Sequence, residues 1–227
     1  MTRENHNSAV IFDCDGVMFD SRGANINFYN HLLDHFGLPP MCEDDIAYVH
    51  MQTADSSVRH IFKGTPFMEE ALRYRFDVDY TPFIRDMIPE PGLRELLTRL
   101  KPCYRLAVAT NRSNTIGQVL ETHNLTGFFD AVVSSLDVVR PKPDPECLLK
   151  ITGLFRIPPE KAIYVGDSEI DQACSRAAGV PFVSFRNSAL DADYHVQNLL
   201  ELLKITGNLA GNPGCGIISQ GRDNAGL

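Results

Sequence analysis

Five short runs of branched and aromatic residues alternate with segments of helical periodicity, and this alternation limits the folds that the chain can adopt. The runs cover residues 9–12, 105–109, 131–133, 162–165 and 181–185. Each is short and apolar enough for a strand buried on both faces. Between the runs, apolar residues recur at helical spacing, as at Leu93, Leu96, Leu97 and Leu100. The alternation predicts an α/β fold, a doubly wound parallel sheet covered by helices on both faces.

The first gap between runs breaks this rhythm and predicts an inserted domain. About seventy residues separate the first run from Pro91 and Gly92, far more than one crossover helix needs. The segment is helical in pattern, because Ile26, Tyr29 and Leu33 recur on one face. We therefore expect three parts: a core of residues 1–21 and 89–206, a helical cap domain at 22–88 inserted after the first strand, and a Gly/Asn-rich C-terminal tail at 207–227.

The charge balance argues against nucleic-acid and membrane partners. The formal net charge is −8 at pH 7, whereas phosphate backbones and anionic lipids need a basic face. No run is long enough to span a bilayer, and the polar N-terminus does not resemble a secretory leader. The six cysteines include no CxxC pair and are expected to be reduced thiols. We expect a cytoplasmic protein, a monomer or a homodimer, with a small solute as its partner.

Polar residues gather directly after the predicted strands, where ligands bind in an open parallel sheet. They are Asp13 and Asp15 after the first run, Thr110 and Asn111 after the second, Lys142 in a loop that follows the third, and Asp167 and Asp171 after the fourth. If the loops converge, the carboxylates need a cation, because two like charges ~4 Å apart repel by about 4 kcal/mol at an effective dielectric of about 20. Oxygen ligands without His or Cys suit Mg²⁺, with phosphate beside it. The pattern predicts a magnesium and phosphate site.

The first pair of aspartates can divide the work of phosphoryl transfer. Asp13 could attack phosphorus, while Asp15 could protonate the leaving oxygen and later take a proton from water. Gly16 lets the chain turn sharply beside them. Cys14, which lies between them, is interpreted as a small packed residue rather than a redox group.

Four segments carry a resemblance to a known family: FDCDGVMFDS, VATNRS, RPKPDP and VGDSEID. In this order and spacing they resemble the four motifs of the haloacid dehalogenase (HAD) superfamily, and most closely those of its phosphoglycolate phosphatase and β-phosphoglucomutase branch. The resemblance covers roughly residues 8–20 and 90–205. It implies a sheet in the order 3-2-1-4-5 with a helical cap inserted after the first motif. It also implies a Mg²⁺-dependent phosphatase of a small phosphorylated metabolite.

The resemblance implies roles for the acidic residues. Asp13 would be the nucleophile that becomes an aspartyl-phosphate, and Asp15 would be the general acid and base. The protein would bind the metal through Asp13, through Asp167 and through the carbonyl oxygen of Asp15. Asp171 would hold metal-bound water.

The phosphate group would be bound by the two middle motifs. Thr110 and the amide of Asn111 would donate to phosphate oxygens, and Lys142 would offset the charge of both phosphate and nucleophile. The leaving group would meet the cap domain. The candidates there are His50, Gln52, Arg59 and Lys63.

Two alternatives remain open at this stage. A sugar-phosphate mutase shares the core and differs in its cap, which must exclude water. A phospho-receiver module of a signalling protein also combines carboxylates with Mg²⁺, but its phosphorylated aspartate follows the third strand, where this chain has Ser134 and Ser135. Asp15 separates the chain from dehalogenases of the superfamily, which lack an acidic residue two positions after the nucleophile.

Overall fold

The computed structural model describes residues 7–209. Its strands are β1 (Ala9–Phe12), β2 (Phe19–Asp20), β3 (Ile88–Pro89), β4 (Arg105–Ala109), β5 (Ala131–Val133), β6 (Ala162–Gly166), β7 (Phe182–Phe185) and β8 (Tyr194–Val196). Its α-helices are α1 (Arg22–His35), α2 (Glu43–Met51), α3 (Ala54–Ile61), α4 (Met68–Tyr74), α5 (Thr81–Ile84), α6 (Leu93–Leu100), α7 (Ile116–Thr122), α8 (Glu146–Phe155), α9 (Glu169–Ala178) and α10 (Leu202–Leu209). Short 3₁₀ turns cover Thr126–Phe128, Pro159–Lys161 and Leu199–Glu201.

Six of the described strands form one parallel sheet in the order β5-β4-β1-β6-β7-β8. Counted along the chain, the order of these core strands is 3-2-1-4-5-6. The predicted α/β class and the predicted order 3-2-1-4-5 are therefore confirmed, and all five predicted strands are present. The sixth strand, β8, was not predicted. Two of its three residues are exposed, so it lacks the continuous apolar run that marked the others.

The alternation of side chains along the strands builds an apolar cluster on each face of the sheet. In β1, Val10 and Phe12 belong to one cluster, whereas Ala9 and Ile11 belong to the other. Helices α6, α7 and α10 contribute to the first cluster, and α8 and α9 contribute to the second. Both faces of the sheet are therefore buried, as a parallel sheet requires.

The chain leaves and re-enters this core through a two-stranded antiparallel ribbon. Asp20 of β2 pairs with Ile88 of β3, and helices α1 to α5 lie between these two strands. Apolar residues of these helices continue the first cluster of the core. A helical insertion thus follows the first strand, as expected. Its boundaries at 22–88 remain a prediction.

Three expectations concern the rest of the chain. From residue 210 onward, the predicted tail lies outside the described residues. Cys14, Cys42, Cys147 and Cys174 are free, but Cys103 is disulfide-bonded, so the expectation of six reduced thiols is wrong for this residue. In the part of the chain that the structure describes, no helix combines the length and apolar character needed to cross a membrane.

Candidate active site

The loops after β1, β4 and β6 bring the sequence motifs together around one cavity. Phe12 of β1 pairs with Val108 of β4 and with Val165 of β6, so the residues that follow these strands share one edge of the sheet. The predicted site residues of the core that line the cavity are Asp13, Asp15, Thr110, Asn111, Lys142 and Asp167. The structure therefore places these predicted residues in one site.

Lys142 is central to the site because its ammonium group bridges two carboxylates. Its Nζ lies 2.9 Å from Asp13 Oδ1 and 2.7 Å from Asp171 Oδ1, and it donates to Tyr164 Oη at 2.9 Å. The side chain of Asn111 fixes the lysine loop, since it accepts from Lys142 N at 3.0 Å and donates to Lys142 O at 3.1 Å. Burial opposes the charge, but Asp13 and Asp171 raise the pKa of Lys142 well above its usual value. The lysine is therefore a fixed cation.

Asp171 is fully buried, and both of its oxygens already accept hydrogen bonds. Oδ1 accepts from Lys142 and from Tyr164 Oη at 2.6 Å. Oδ2 accepts from the backbone N–H groups of Asp167 and Ser168 at 3.3 and 3.2 Å, and from the Ser168 hydroxyl. Ser168 accepts in turn from the Asp171 N–H and so forms a capping box at the start of α9. Asp171 thus orients Lys142 and the loop that carries Asp167.

Three carboxylates crowd this edge of the sheet. Asp13, Asp167 and Asp171 each place an oxygen within 4.8 Å of the other two. Burial, followed by the charge of Asp171, raises the pKa of Asp167 to about 7. Burial also raises the pKa of Asp13; Lys142 opposes this rise, and Asp171 and Asp167 add to it. An all-oxygen cluster in which the charges of Asp13 and Asp167 are unfavourable fits a hard divalent cation.

Gly16 allows the Asp167 carboxylate to approach the turn after β1. Its φ is +77°, and a Cβ at this position would lie 2.1 Å from Asp167 Oδ2. Glycine is therefore required both by the backbone conformation and by the close approach. The contact packs Asp167 against the segment that carries Asp13 and Asp15, as a shared metal site would need.

Arg112 is a site residue that the sequence reasoning missed. Its Nε and Nη2 donate to the two oxygens of Asp15 at 2.8 and 2.7 Å, and both side chains are largely buried. Burial alone would raise the pKa of Asp15, but the guanidinium lowers it below its usual value. Arg112 also reaches cap residues, since Nη1 donates to Tyr80 Oη at 3.1 Å and Nη2 donates to Asn25 Oδ1 at 3.4 Å. Its position after Asn111 in VATNRS was the one sequence signal for Arg112. Its partner Asp15 lies 97 residues away in the chain, so the pairing itself was not predictable.

The cap completes the cavity opposite the core motifs. Of the predicted cap candidates, His50 and Gln52 line the cavity, whereas Arg59 and Lys63 do not. Arg59 instead pairs with Asp55 at 2.8 Å on an exposed surface, and Lys63 is exposed. Cap residues that line the cavity without having been predicted include Asn25, Arg75 and Tyr80. They belong to segments without a motif, so no pattern in the sequence points to them.

Comparison with known proteins identifies the family. A family model described as haloacid dehalogenase-like hydrolase matches residues 10–185. The chain belongs to the haloacid dehalogenase-like hydrolase family. This match covers the core motifs and the helical insertion alike, so the resemblance drawn from the four sequence motifs is confirmed.

Individual relatives of this HAD hydrolase agree with that assignment. A phosphoglycolate phosphatase of Chromobacterium violaceum is 31% identical, over 89% of this chain and 98% of its own length. Pyrophosphatase PpaX of Bacillus velezensis is 27% identical, over 88% of this chain and 96% of its own length. The crystal structure of a HAD-superfamily hydrolase of subfamily IA from Geobacter sulfurreducens is 38% identical, with a TM-score of 0.78 over 87% of this chain and 98% of that one.

Membership of this family and the phosphatase names of its relatives make the chain a HAD phosphatase. The prediction of an enzyme is thereby confirmed. A phospho-receiver module is disfavoured, because the family match places the chain among hydrolases. A sugar-phosphate mutase and a phosphatase differ in where the phosphoryl group goes, so the reaction products distinguish them.

Proposed function

We propose that this HAD phosphatase is a Mg²⁺-dependent phosphomonoesterase that acts on a small phosphorylated metabolite through an aspartyl-phosphate. The observation that carries the proposal is the position of Asp13, which lines the cavity, lies 2.9 Å from Lys142 Nζ and belongs to a cluster of carboxylates. A buried carboxylate next to a fixed cation and a metal site can act as a nucleophile towards phosphorus.

The metal would be bound by Asp13, Asp167 and the carbonyl oxygen of Asp15. Asp171 is not counted among these ligands because its own oxygens are occupied by hydrogen-bond donors; it would hold metal-bound water. Mg²⁺ would neutralise the carboxylates and the phosphate oxygens and so allow two anions to approach each other.

The phosphate oxygens would meet donors from three loops. Thr110 accepts from the Arg112 N–H at 3.1 Å, so its own hydroxyl proton remains available for a phosphate oxygen. The amide of Asn111 and the ammonium of Lys142 face the same cavity. These donors would stabilise the charge that develops on the transferred group.

The reaction would run in two balanced steps. In the first, an oxygen of Asp13 forms a bond to phosphorus, the bond from phosphorus to the leaving oxygen breaks, and Asp15 gives its proton to that oxygen. In the second, water attacks phosphorus, Asp15 takes the proton of the water, and the bond to Asp13 breaks to release inorganic phosphate. The bidentate contact with Arg112 favours the ionised Asp15 that the second step needs.

The lining of the cavity supports a small substrate. The cavity lies between the core motifs and the cap and combines a few polar groups with apolar side chains, as is typical of small-molecule sites. The expected location in the cytoplasm, the monomer or homodimer state and the absence of nucleic-acid and membrane partners remain predictions. A sugar-phosphate mutase would use the same core, and it would return an isomerised sugar phosphate instead of free phosphate.

The test compares Asp13→Asn with Asp20→Asn, which changes an exposed aspartate of β2. With p-nitrophenyl phosphate and Mg²⁺, we expect Asp13→Asn to lower phosphate release by at least about a thousandfold, because the amide is not a nucleophile. Asp20→Asn should behave as wild type. Acid-quenched wild-type protein should carry one added phosphoryl group by mass spectrometry, and a chelator should abolish turnover. Residual activity of Asp13→Asn on the order of a tenth of wild type would contradict the role of Asp13.

A further inference from the structure

Arg75, at the cap end of the cavity, is a buried cation whose hydrogen-bond donors are mostly unfilled. Its side chain is only 9% exposed and lines the cavity. Nε donates to Leu72 O at 3.2 Å. Among residues 7–209, neither Nη nitrogen of Arg75 donates a hydrogen bond within 3.5 Å. A guanidinium carries five N–H donors, so most of them point to no protein acceptor.

The nearest acid does not neutralise this guanidinium fully. Asp55 Oδ1 lies 3.6 Å from Arg75 Nη2, while the other oxygen of Asp55 accepts from Arg59 Nε at 2.8 Å. Asp55 is half exposed and is shared between two arginines. The guanidinium carbon of Arg75 also lies 4.1 Å from the centroid of the Phe76 ring, which neutralises no charge. Arg75 therefore lines the cavity with an incomplete counter-charge.

A second unfilled polar atom lies on the same side of the cavity. His50 lines the cavity, and its Nδ1 is buried without a hydrogen-bond partner among the described residues. A buried polar atom without a partner is unfavourable. The unpartnered Nδ1 of His50 and the unfilled Nη donors of Arg75, both from cap residues that line the cavity, indicate that a ligand supplies the missing partners.

The acidic side chains that line the cavity all lie at its core end, where Lys142 and Arg112 accompany them. The carboxylates that line it, Asp13, Asp15 and Asp167, all come from the core. Among the described cap residues that line the cavity there is no aspartate or glutamate, and Arg75 is the one lysine or arginine. The cap end therefore presents positive charge to whatever part of a substrate lies beyond the phosphoryl group.

We propose that Arg75, assisted by His50, forms an anion subsite that binds an oxyanion on the leaving group of the substrate. The substrate class is then a phosphate ester or anhydride whose leaving group is itself acidic, either a carboxylate or a second phosphate. Both offer paired oxygens that a guanidinium can bind with two parallel hydrogen bonds. This assignment rests on the proposed phosphatase function and specifies its substrate class.

The test uses substrates that differ in the charge of the leaving group. 2-Phosphoglycolate carries a carboxylate, pyrophosphate carries a second phosphate, and ethyl phosphate has the shape of phosphoglycolate without the anion. For wild type we expect kcat/KM to be higher for at least one of the two anionic substrates than for ethyl phosphate. The preferred anionic substrate identifies which oxyanion the subsite takes.

The variants are Arg75→Met and Arg75→Lys, with Arg59→Met as the matched control. Arg59 shares Asp55 with Arg75 but does not line the cavity. We expect Arg75→Met to lower kcat/KM for the preferred anionic substrate by about tenfold to a hundredfold, because a charged hydrogen bond contributes about 1.5 to 3 kcal/mol. For ethyl phosphate the change should stay within about threefold. Arg75→Lys should recover part of the loss, and Arg59→Met should match wild type.

Equal losses for the anionic and neutral substrates would overturn the subsite, because a purely structural arginine lowers all activities alike. A wild-type preference for ethyl phosphate would overturn it too. A binding measurement distinguishes a failure of the anion subsite from a failure of the proposed phosphatase function. In the Asp13→Asn background, calorimetry with 2-phosphoglycolate, pyrophosphate and ethyl phosphate should show that Arg75→Met weakens only the binding of the preferred anion, whether or not the wild type turns it over. If Arg75→Met leaves the affinities for both anions unchanged, the subsite is refuted.

Discussion

At the scale of single residues, the pairing of Asp15 with Arg112 shapes what Asp15 can do. Both oxygens of Asp15 accept from one guanidinium, so donation of a proton to a leaving group requires one of these two contacts to open. Arg112 is itself bonded to Tyr80 of the cap. A movement of the cap would therefore act directly on the residue that we propose as acid and base.

The strength of this pair can be measured by a double-mutant cycle of Asp15→Asn and Arg112→Gln in urea, with a chelator present. Because the two side chains are 16% and 7% exposed, we expect a coupling free energy of about 2 kcal/mol. The control cycle uses Arg176 and Asp191, which pair on the surface at 67% and 83% exposure and should couple by less than about 0.5 kcal/mol. Additive effects in the first cycle would show that the pair contributes nothing to stability.

Gly16 gives a second prediction at this scale. Gly16→Ala places a methyl group against Asp167 Oδ2 and forces alanine into a positive φ. We expect a lower melting temperature and a loss of phosphatase activity of at least about a hundredfold, as seen when a catalytic group is misplaced. Gly23→Ala is the control, since Gly23 lies in α1 with nothing within 4 Å of the added Cβ. It should keep activity and gain a few tenths of a kcal/mol of stability; a similar loss in both variants would contradict the proposed cause.

At the scale of elements, the first residues of α9 affect both the stability of the protein and its activity. Ser168 caps this helix and also donates to Asp171. Ser168→Ala should lower the free energy of unfolding by about 1 kcal/mol and activity by about tenfold, because Asp171 then orients Lys142 less firmly. Thr53 caps α3 through Ser56 N, and Thr53→Ala should cost similar stability with nearly unchanged turnover. Chemical denaturation and steady-state kinetics on both variants separate the two effects.

The elements differ in how well the sequence predicts them. β1, β4 and β5 begin and end at the predicted residues because each is a dense apolar run. The ribbon of β2 and β3 has two residues per strand, too few for any periodicity to appear. β8 is mostly exposed and is held in place by pairing with β7. Tertiary pairing, rather than local pattern, determines these three strands.

At the scale of the whole molecule, the carboxylate cluster links metal binding to stability. Asp13, Asp167 and Asp171 have oxygens within 4.8 Å of one another, so Mg²⁺ should relieve their repulsion in the folded state alone. We expect saturating Mg²⁺ to stabilise the protein by about 1 to 3 kcal/mol, measured as a rise in melting temperature above the chelated protein. Asp167→Asn should lose this rise, whereas Asp191→Asn on the surface should keep it. An undiminished rise in Asp167→Asn would place the metal elsewhere.

The site as a whole was predictable only where its residues follow strands. Asp13, Asp15, Thr110, Asn111, Lys142 and Asp167 line one cavity because strand ends meet at one edge whatever the intervening chain. Arg75 lies in the cap and could not be found in this way, and Arg112 follows β4 but carries no motif signal for its partners. Their importance depends on which side chains they face across the cavity, and that depends on the packing of the cap against the core.

The ribbon of β2 and β3 has a consequence for how such a protein can change. The chain crosses from core to cap at Asp20 and returns at Ile88, and these residues are neighbours in the ribbon. The insertion between the crossings can therefore vary in length and sequence without a change in the order of the strands in the large sheet. Substrate choice could diversify through changes in this insertion while the carboxylate-bearing edge of the sheet stays the same.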